Sequence, residues 1–441
     1  MWFHRLFSLA LLISVPTMAQ GGDFPILFTN VHVFDGVNGE RIENANVLVV
    51  DNLIVEVSPE PLAAANARII DGGGRTLMPG IIEAHGHLGL PLPPAKLMGD
   101  EHWQYIAAKS TEDARFYLDH GWTTVRDVGG PVIGLKKAID EGAISGPRVY
   151  PSGMFISQTS GHGDFRRFAD QHPNQSPTLP DFNRYYGHIA DGVPEVLRAT
   201  REELRKGSVH IKMMAGGGVA SQYDPLHTTQ YSLEEMQAVV GAADDWGTYV
   251  MVHAYTDQAV TRAIEAGVKV IEHGQLMTEK TAQLMAERGV WLSTQAELAT
   301  GTEGEAVVKA MGPVTYKKWL QIREGFDQSI AFAKKYDVKI AFGTDLFGDA
   351  LPMLTNEFRA RQPYFSNLEI LRQSTSGNGE LLKLTGVLNP YPEGALGVIR
   401  AGAYADILLI DGNPIEDLLL LMDPSNIPFI MKDGEIYKNT L

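Results

Sequence analysis

Cysteine is absent from the 441 residues of this chain. Its absence excludes disulfide bonds, catalysis by a thiolate, zinc sites with cysteine ligands and iron–sulfur clusters. A metal ion bound by this protein would therefore need nitrogen and oxygen donors, which histidine, aspartate and glutamate supply.

Basic residues are scarce as well, with 37 lysines and arginines against 53 aspartates and glutamates and a formal net charge of −16. This surplus of negative charge argues against nucleic acid or an anionic membrane surface as the main partner. Beyond the N-terminus no uninterrupted apolar run reaches roughly eighteen residues, so we expect no transmembrane helix.

The first twenty residues have the pattern of a secretory signal. Met1–Arg5 carries positive charge, 6–15 is mostly apolar, and small residues precede Gln20. This order predicts export to the periplasm or medium, with cleavage near Ala19. Removal of Arg5 with the signal would change the formal net charge from −16 to −17, because one positive charge is lost. No cysteine follows the cleavage site, so we expect no lipid anchor. The alternative to an export signal is that these residues form a buried N-terminal strand or helix.

The rest of the chain shows two kinds of pattern. Short β-rich runs with tight turns fill 24–76, which predicts a small antiparallel sheet; similar runs return in 392–441, which predicts one small β domain built from both ends. Between them, in 77–391, strands alternate with helical periodicity, which predicts a parallel (β/α)8 barrel. The expected barrel strands are 77–85, 123–128, 148–152, 209–214, 249–254, 269–273, 290–295 and 339–344. The expected helices are 103–120, 132–142, 193–206, 232–246, 256–266, 278–288 and 316–336.

Chemistry-bearing side chains recur where these strands end. His85 and His87 are separated by one residue, so in a strand they share a face. Lys212, His253, His273 and Asp345 lie at or near the ends of four later strands. The carboxyl ends of barrel strands converge on one mouth. We therefore expect these six side chains to meet at one site.

Motifs along the chain resemble the amidohydrolase superfamily from about residue 24 to 441. They are Pro79-Gly80, His85-Gly86-His87, Lys212, His253, Ile271-Glu272-His273-Gly274, Gly343-Thr344-Asp345, and a tail from Gly397 to Pro414. The resemblance implies a distorted (β/α)8 barrel with a small β-sandwich domain formed by both termini.

The resemblance also implies a binuclear metal centre. His85, His87 and Asp345 would bind one divalent ion and His253 and His273 the other, with a CO2-carboxylated Lys212 bridging them; a lysine in an ordinary ion pair is the alternative. Zinc suits these donors best, with manganese, cobalt or iron as alternatives. A metal-bridged hydroxide would attack an amide carbonyl, and Asp345 would transfer the proton. The segment after His253 lacks the glutamate of mononuclear deaminases, which disfavours that reaction.

Four further runs narrow the resemblance to one branch: 123–130, 144–149, 160–164 and 214–219. The branch contains Xaa-Pro and Xaa-Arg/Lys dipeptidases and ochratoxin-hydrolysing amidases. It implies cleavage before a C-terminal amino acid with a free carboxylate, in dipeptides, N-acyl amino acids and ochratoxin A.

A substrate carboxylate needs a cationic or hydrogen-bonding pocket. The candidates are His162 and Arg166 in the long irregular stretch 158–191, and Tyr223 and His227 after the glycine-rich turn. A solvated surface role is the alternative for the arginine.

Two other interpretations stay open. The chain could hydrolyse a cyclic amide, a lactone or a phosphotriester with the same metals, or be a non-catalytic binding protein on the same fold. The resemblance further suggests a homo-oligomer.

Overall fold

The computed structural model describes residues 24–97, 101–175 and 185–441, so the predicted export signal lies outside the described residues. The strands are β1 Ile26–Val33, β2 Ile42–Val50, β3 Leu53–Ser58, β4 Arg68–Pro79, β5 Ile81–Gly86, β6 Trp122–Asp127, β7 Arg148–Pro151, β8 Phe155–Ser157, β9 Gly187–Ile189, β10 Ile211–Met214, β11 Val250–Thr256, β12 Val270–Leu276, β13 Trp291–Thr294, β14 Ile340–Phe342, β15 Ile407–Ile410, β16 Phe429–Lys432 and β17 Glu435–Asn439.

The α-helices of the same residues are α1 Pro94–Leu97, α2 Trp103–Asp119, α3 Ile133–Asp140, α4 Val193–Lys206, α5 Leu233–Asp244, α6 Asp257–Ala266, α7 Glu279–Arg288, α8 Ala296–Thr300, α9 Thr302–Ala310, α10 Pro313–Lys335, α11 Asn356–Arg361, α12 Asn367–Arg372 and α13 Asn378–Leu382. Across the described ranges, no helix is long and apolar enough to cross a membrane.

Eight parallel strands form the barrel: β5, β6, β7, β10, β11, β12, β13 and β14. Hydrogen bonds join its two sheets at both seams. The Asp345 N–H donates to the His85 carbonyl oxygen at 2.9 Å, and the Val209 N–H donates to the Pro151 carbonyl oxygen at 2.9 Å. The predicted distorted (β/α)8 barrel is therefore confirmed.

Local sequence explains why the barrel elements form where they do. Strands β6, β10 and β13 are buried along their whole length, as expected of parallel strands covered on both faces, and β6 and β10 include the charged residues Arg126, Asp127 and Lys212. The side chains of Thr256 and Thr278 cap the first turns of α6 and α7, and Gly267 and Gly289 end these helices in left-handed conformation. The larger predicted helices appear within a few residues of their expected bounds.

Both ends of the chain build one seven-stranded sheet, in the order β17-β16-β15-β4-β1-β2-β3. Its central strand β4 pairs with β1 on one side and with β15 from the C-terminal segment on the other. The Phe28 and Phe429 rings, from opposite ends of the chain, meet with centroids 5.3 Å apart. The small β domain expected from both termini thus has a shared core.

Three details differ from the sequence prediction. The strand expected over 77–85 is divided, because β4 continues to Pro79 in the terminal sheet and β5 begins at Ile81. A Cβ atom at Gly80 would lie 2.0 Å from Thr123 Oγ1, so the chain passes between the two sheets at a residue without a side chain. The terminal sheet is not wholly antiparallel, since β1 and β4 run parallel. Two short strands, β8 and β9, extend the larger barrel sheet beside β10.

Candidate metal centre

The six predicted ligands lie on, or directly after, five barrel strands. His85 and His87 come at the end of β5, and Lys212, His253, His273 and Asp345 belong to β10, β11, β12 and the segment after β14. The ligand atoms of His85, His273 and Asp345 lie within 4.8 Å of one another. The His253 and His273 rings are 4.5 Å apart, centroid to centroid. The barrel therefore brings together residues that are up to 260 positions apart in the chain.

Asp345 lies between the two histidines of β5. Its Oδ1 is 3.3 Å from His85 Nε2 and 3.0 Å from His87 Nε2. Burial alone would raise the pKa of Asp345, but His85 and His87 lower it well below the ordinary value. The carboxyl group is therefore ionised at neutral pH and can serve as a metal ligand.

The other ring nitrogens of the β5 histidines are bound to oxygen acceptors. His85 Nδ1 donates to Glu272 Oε2 at 2.6 Å, and His87 Nδ1 donates to the Gly129 carbonyl oxygen at 3.3 Å. These bonds place the ring protons on Nδ1. Both Nε2 atoms face Asp345 Oδ1, so a cation held among these three atoms would be bound by two imidazoles and one carboxylate.

The histidines of β11 and β12 also each have one ring nitrogen bonded to an oxygen acceptor. His273 Nδ1 donates to Gln295 Oε1 at 2.8 Å, which leaves its Nε2 free. His253 Nε2 donates to the Gly217 carbonyl oxygen at 3.3 Å, which leaves its Nδ1 free. Burial, together with nearby positive groups, lowers the pKa of His273 to about 3 and that of His253 well below its ordinary value. Both rings are thus neutral, the form in which imidazole binds metals.

Lys212 is the second residue of β10 and is 2% exposed. Burial lowers the pKa of its ammonium to about 8, although the carboxylates of Glu272 and Asp345 favour the charged form. About a tenth of this amine is therefore uncharged at pH 7, compared with about 0.04% of an ordinary lysine.

Two residues of the centre adopt backbone conformations that ordinary side chains avoid. His273 has a φ of 82° and Asp345 a φ of 57°, both in the left-handed region. Such strain persists only where the surrounding structure imposes it, and it concentrates at functional sites. The strain supports a functional role for these two positions.

A buried ion pair behind the centre was not assigned a role from the sequence. Arg126 on β6 and Glu272 on β12 are both fully buried, and Arg126 Nη2 lies 2.5 Å from Glu272 Oε1. Arg126 also donates to the Ala84 carbonyl oxygen at 2.5 Å. The second oxygen of Glu272 holds His85, so the pair orients a candidate ligand. The only sequence signal was that both residues lie within motifs used for the resemblance, next to strand ends.

Two more buried carboxyl groups shape the loops around the centre. Glu83 Oε1 accepts the N–H groups of His85 and Thr344 at 2.8 and 2.9 Å. Asp127 accepts those of Leu88 and Gly129 at 2.7 and 3.1 Å. Burial raises the pKa of each carboxyl to about 7.

His162 is the predicted substrate residue that lies against the ligands. Its ring stacks on that of His253, with centroids 3.9 Å apart and planes 17° from parallel. Its Nδ1 is 2.7 Å from Ser221 Oγ and 3.5 Å from Asp224 Oδ2. His162, from the irregular stretch after β8, therefore reaches the candidate metal centre.

The other three predicted substrate residues have different surroundings. Arg166 forms a two-bond ion pair with Asp164, at 2.7 and 2.6 Å. Tyr223 is 43% exposed, and its carbonyl oxygen accepts from Ser160 Oγ. His227 is exposed and lines an outer cavity of about 450 Å³ together with Lys317. No contact between these three side chains and the six ligands is seen in the described part of the chain, and their roles stay predictions.

The donor set fits divalent cations. Each of the four imidazoles has one ring nitrogen bonded to an oxygen acceptor, and the Asp345 carboxylate lies between two of the rings. Hydrogen bonds of this kind are what orients histidine ligands at metal sites. Nitrogen and oxygen donors without thiolate suit zinc and its neighbours in the first transition series.

Residues 76–437 match the sequence pattern of the amidohydrolase family. The chain therefore belongs to the amidohydrolase family, whose members typically bind divalent metals, and it is a hydrolase that acts on C–N bonds.

Among individual proteins, it is 30% identical to ochratoxinase of Aspergillus niger over 425 residues, which are 91% of this chain and 84% of that one. A crystal structure of a prolidase complexed with N-methylphosphonate-L-proline superposes with a TM-score of 0.85 at 36% identity, over 94% of this chain and all of that one. A Xaa-Pro dipeptidase with bound methionine in the active site gives a TM-score of 0.81 at 27% identity, again over 94% and 100%.

Proposed function

We propose that this protein is a binuclear metal-dependent amidohydrolase that cleaves the amide bond before a C-terminal amino acid. Its substrates would be dipeptides and N-acyl amino acids, with ochratoxin A as one accepted substrate. The observation that carries the proposal is the set of four imidazoles around Asp345 and Lys212, each with one ring nitrogen bonded to an oxygen acceptor. The similarity to ochratoxinase and to two dipeptidases supports the substrate class.

Two divalent ions need a bridging anion, and Lys212 is the residue placed to supply it. Its uncharged amine would attack carbon dioxide, form a carbamate and release one proton. The low pKa of about 8 supports this reaction, because an ordinary lysine would be almost fully protonated at neutral pH. His85, His87 and Asp345 would hold one ion, and His253 and His273 the other.

Such ions would supply Lewis-acid activation of the amide carbonyl and of a water molecule. The rest of the chemistry belongs to the chain. Asp345 would accept the proton of the attacking water at Oδ1 and return it to the amide nitrogen, which cannot leave as an anion. The hydrogen bonds to Glu272, Gln295 and two main-chain carbonyls would keep the imidazole rings oriented during this transfer.

His162 is the candidate that best fits recognition of the substrate carboxylate. It lies at the mouth beside His253, and its Nδ1 is already oriented by Ser221, so its Nε2 is left for a ligand. Arg166 would have to exchange its ion pair with Asp164 before it could bind a carboxylate. Tyr223 and His227 would need to turn towards the mouth when substrate binds.

Metal analysis and carbonate labelling test the proposed centre. We expect two divalent ions per chain, loss of activity on exhaustive chelation and recovery on adding zinc. A carbamate carbon signal should appear in protein prepared with 13C-bicarbonate and be absent from Lys212→Ala. Full activity after complete metal removal, or an unaltered Lys212→Ala enzyme, would contradict the proposal.

A substrate panel tests the reaction. N-acyl amino acids, dipeptides and ochratoxin A should be hydrolysed, and the matching C-terminal amides should react poorly because they lack the free carboxylate. Turnover only of lactones, cyclic amides or phosphotriesters would replace the proposed substrate class with another one. Absence of any turnover by metal-loaded protein would favour a binding protein.

We also propose that the chain is exported, is cleaved near Ala19 and forms a homo-oligomer without nucleic acid or membrane partners. N-terminal sequencing of protein from the periplasm or medium, and light scattering of the purified protein, test these points. An uncut N-terminus or a monomeric mass would contradict them.

A further inference from the structure

Lys318 lies on α10, outside the barrel and far in sequence from every predicted site residue. Its side chain is buried, with 8% of the residue exposed. Its ammonium donates to the carbonyl oxygens of Gly218, Ser221 and Asp224, each at 2.8 Å. An ammonium group has three N–H donors, so these three bonds use all of them.

The three carbonyls belong to residues 218–224, here called the β10 loop, which follows the strand that carries Lys212. Within this loop the Gly218 N–H donates to Asp224 Oδ2 at 2.6 Å. Asp224 Oδ1 lies 3.7 Å from the Lys318 ammonium and has no hydrogen-bond partner among the described residues. Lys318 thus binds the loop from one side, and its positive charge offsets the negative charge of the buried Asp224 carboxylate.

The opposite side of the β10 loop supports His162. Ser221 Oγ and Asp224 Oδ2 both face His162 Nδ1, at 2.7 and 3.5 Å. A Cβ atom at Gly218 would lie only 1.8 Å from His162 Nδ1, so the ring rests directly on the glycine backbone. Every one of these supports belongs to a residue whose main chain Lys318 binds.

We propose that Lys318 is a positioning residue that fixes the β10 loop so that His162 stays stacked on His253 at the mouth of the site. The link runs through three steps: Lys318 holds the three loop carbonyls, the loop holds His162, and His162 contacts the ring of a candidate metal ligand. The proposal rests on the proposed function only where substrate turnover is measured.

Loss of the ammonium would leave three buried carbonyl groups without this donor and would remove the cation that lies 3.7 Å from Asp224 Oδ1. Buried polar groups do not stay unpaired, so the loop would rearrange to reach water. A displacement of about 1 Å at a residue that positions a substrate lowers catalysis by up to about a hundredfold. The metal ligands themselves keep their own hydrogen bonds and should still bind metal.

The test compares Lys318→Met with Lys317→Met. Lys317 is the preceding residue of α10 and is exposed, so its removal deletes the same charge from the same helix without removing a bond to the loop. We expect kcat/KM to fall about tenfold or more in Lys318→Met, mainly through KM, and less than about twofold in Lys317→Met. Metal content should equal that of the wild type in both variants.

A double-mutant cycle with His162→Ala separates positioning from general destabilisation. If Lys318 acts through His162, the Lys318→Met change should cost little in the His162→Ala background. Independent, additive effects of the two changes, or unaltered kcat/KM in folded Lys318→Met, would overturn the proposal.

A spectroscopic measurement needs no substrate. In protein labelled with 15N-histidine, the His162 ring signals, assigned by their loss in His162→Ala, should shift in Lys318→Met and stay in place in Lys317→Met. Unshifted His162 signals in Lys318→Met would reject the positioning role, even if the proposed reaction is correct. Shifted signals together with no amide turnover by the wild-type protein would reject the proposed function alone.

Lys318→Arg provides a second variant in case Lys318→Met does not fold. It keeps the charge, but a planar guanidinium cannot direct three N–H groups from one nitrogen at three carbonyls. We expect a lowered kcat/KM and displaced His162 signals here too. A folded Lys318→Arg protein with wild-type kinetics and wild-type His162 signals would overturn the proposal.

Discussion

The two halves of the candidate centre are supported by different kinds of groups. On the β5 side, His85 is held by the Glu272 carboxylate, which is itself bound to the buried Arg126. On the β11 side, His253 is held by a main-chain carbonyl and by the stacked ring of His162. His85 is therefore supported by buried charged groups, whereas His253 is supported by uncharged groups that belong to loops.

This difference separates two tasks. A carboxylate behind an imidazole raises its basicity and fixes its ring, so the β5 side is built to retain a metal ion. A neighbouring loop and a stacked ring can adjust their position, so the β11 side is suited to meet a substrate. Mutations should therefore affect metal retention on one side and substrate binding on the other.

The largest effect is expected for Asp345→Asn, which acts where the β5 side meets the reacting groups. The amide cannot accept a proton, so kcat should fall by about 10²–10⁴-fold. Steady-state kinetics of protein with a verified metal content measures this loss. Normal turnover of the variant would contradict the role of Asp345 in proton transfer.

The next effect is expected for Glu272→Gln. Metal affinity should fall by about 10–100-fold, since a carboxylate behind His85 is lost. The variant should also be less stable by about 3–5 kcal/mol, because Arg126 is left buried without its partner. Competition with a chromophoric chelator and chemical unfolding measure the two quantities.

The double variant Glu272→Gln with Arg126→Met is the matching control. It should recover stability but not metal affinity, because it removes the unpaired charge without restoring the carboxylate. Gln295→Met removes the uncharged amide that holds His273, and it should lower affinity less than Glu272→Gln. Equal losses for the two single variants would remove the distinction between the halves.

A smaller effect, specific to substrate, is expected for His162→Ala. The value of kcat/KM should fall about tenfold for N-acyl amino acids, with metal content unchanged. Their C-terminal amides should lose less, because they offer no carboxylate to the ring. The ratio of the two kcat/KM values measures the preference, and a loss that is equal for acid and amide would exclude carboxylate recognition by His162.

The smallest effect concerns the pH dependence of stability. The pKa of Asp127 is raised to about 7 by burial in the folded chain. The unfolded chain therefore releases this proton at a lower pH than the folded chain, and stability should fall as pH rises from about 4 to 7. Asp127→Asn should flatten this decline in unfolding experiments on metal-free protein, and an unchanged slope would contradict a raised pKa.

Much of the fold and of the centre could be predicted from local patterns. Helix α4 begins and ends where its periodicity indicated, and the caps of α6 and α7 are formed by residues directly adjacent to these helices in the sequence. His85, His253 and Asp345 could be placed because strand ends in a barrel share one mouth. Local hydrogen bonds and hydrophobic periodicity suffice for such predictions.

Other features could not be predicted because they depend on contacts between distant segments. Arg126 and Glu272 are 146 residues apart, and Lys318 is about one hundred residues from the carbonyls that it binds. Nothing in the sequence near Lys318 distinguishes it from its exposed neighbour Lys317. Only packing of α10 against the β10 loop makes one a buried donor and the other a surface charge.

The sequence by itself determined the absence of thiolate chemistry, the alternation of strands and helices, and the set of nitrogen and oxygen donors. The tertiary structure decided which donors are neutral, which of their nitrogens are free and which distant residues orient them. The reason is that donor identity is a property of single side chains. Tautomer, pKa and orientation depend on burial and on hydrogen bonds that form only when the barrel closes.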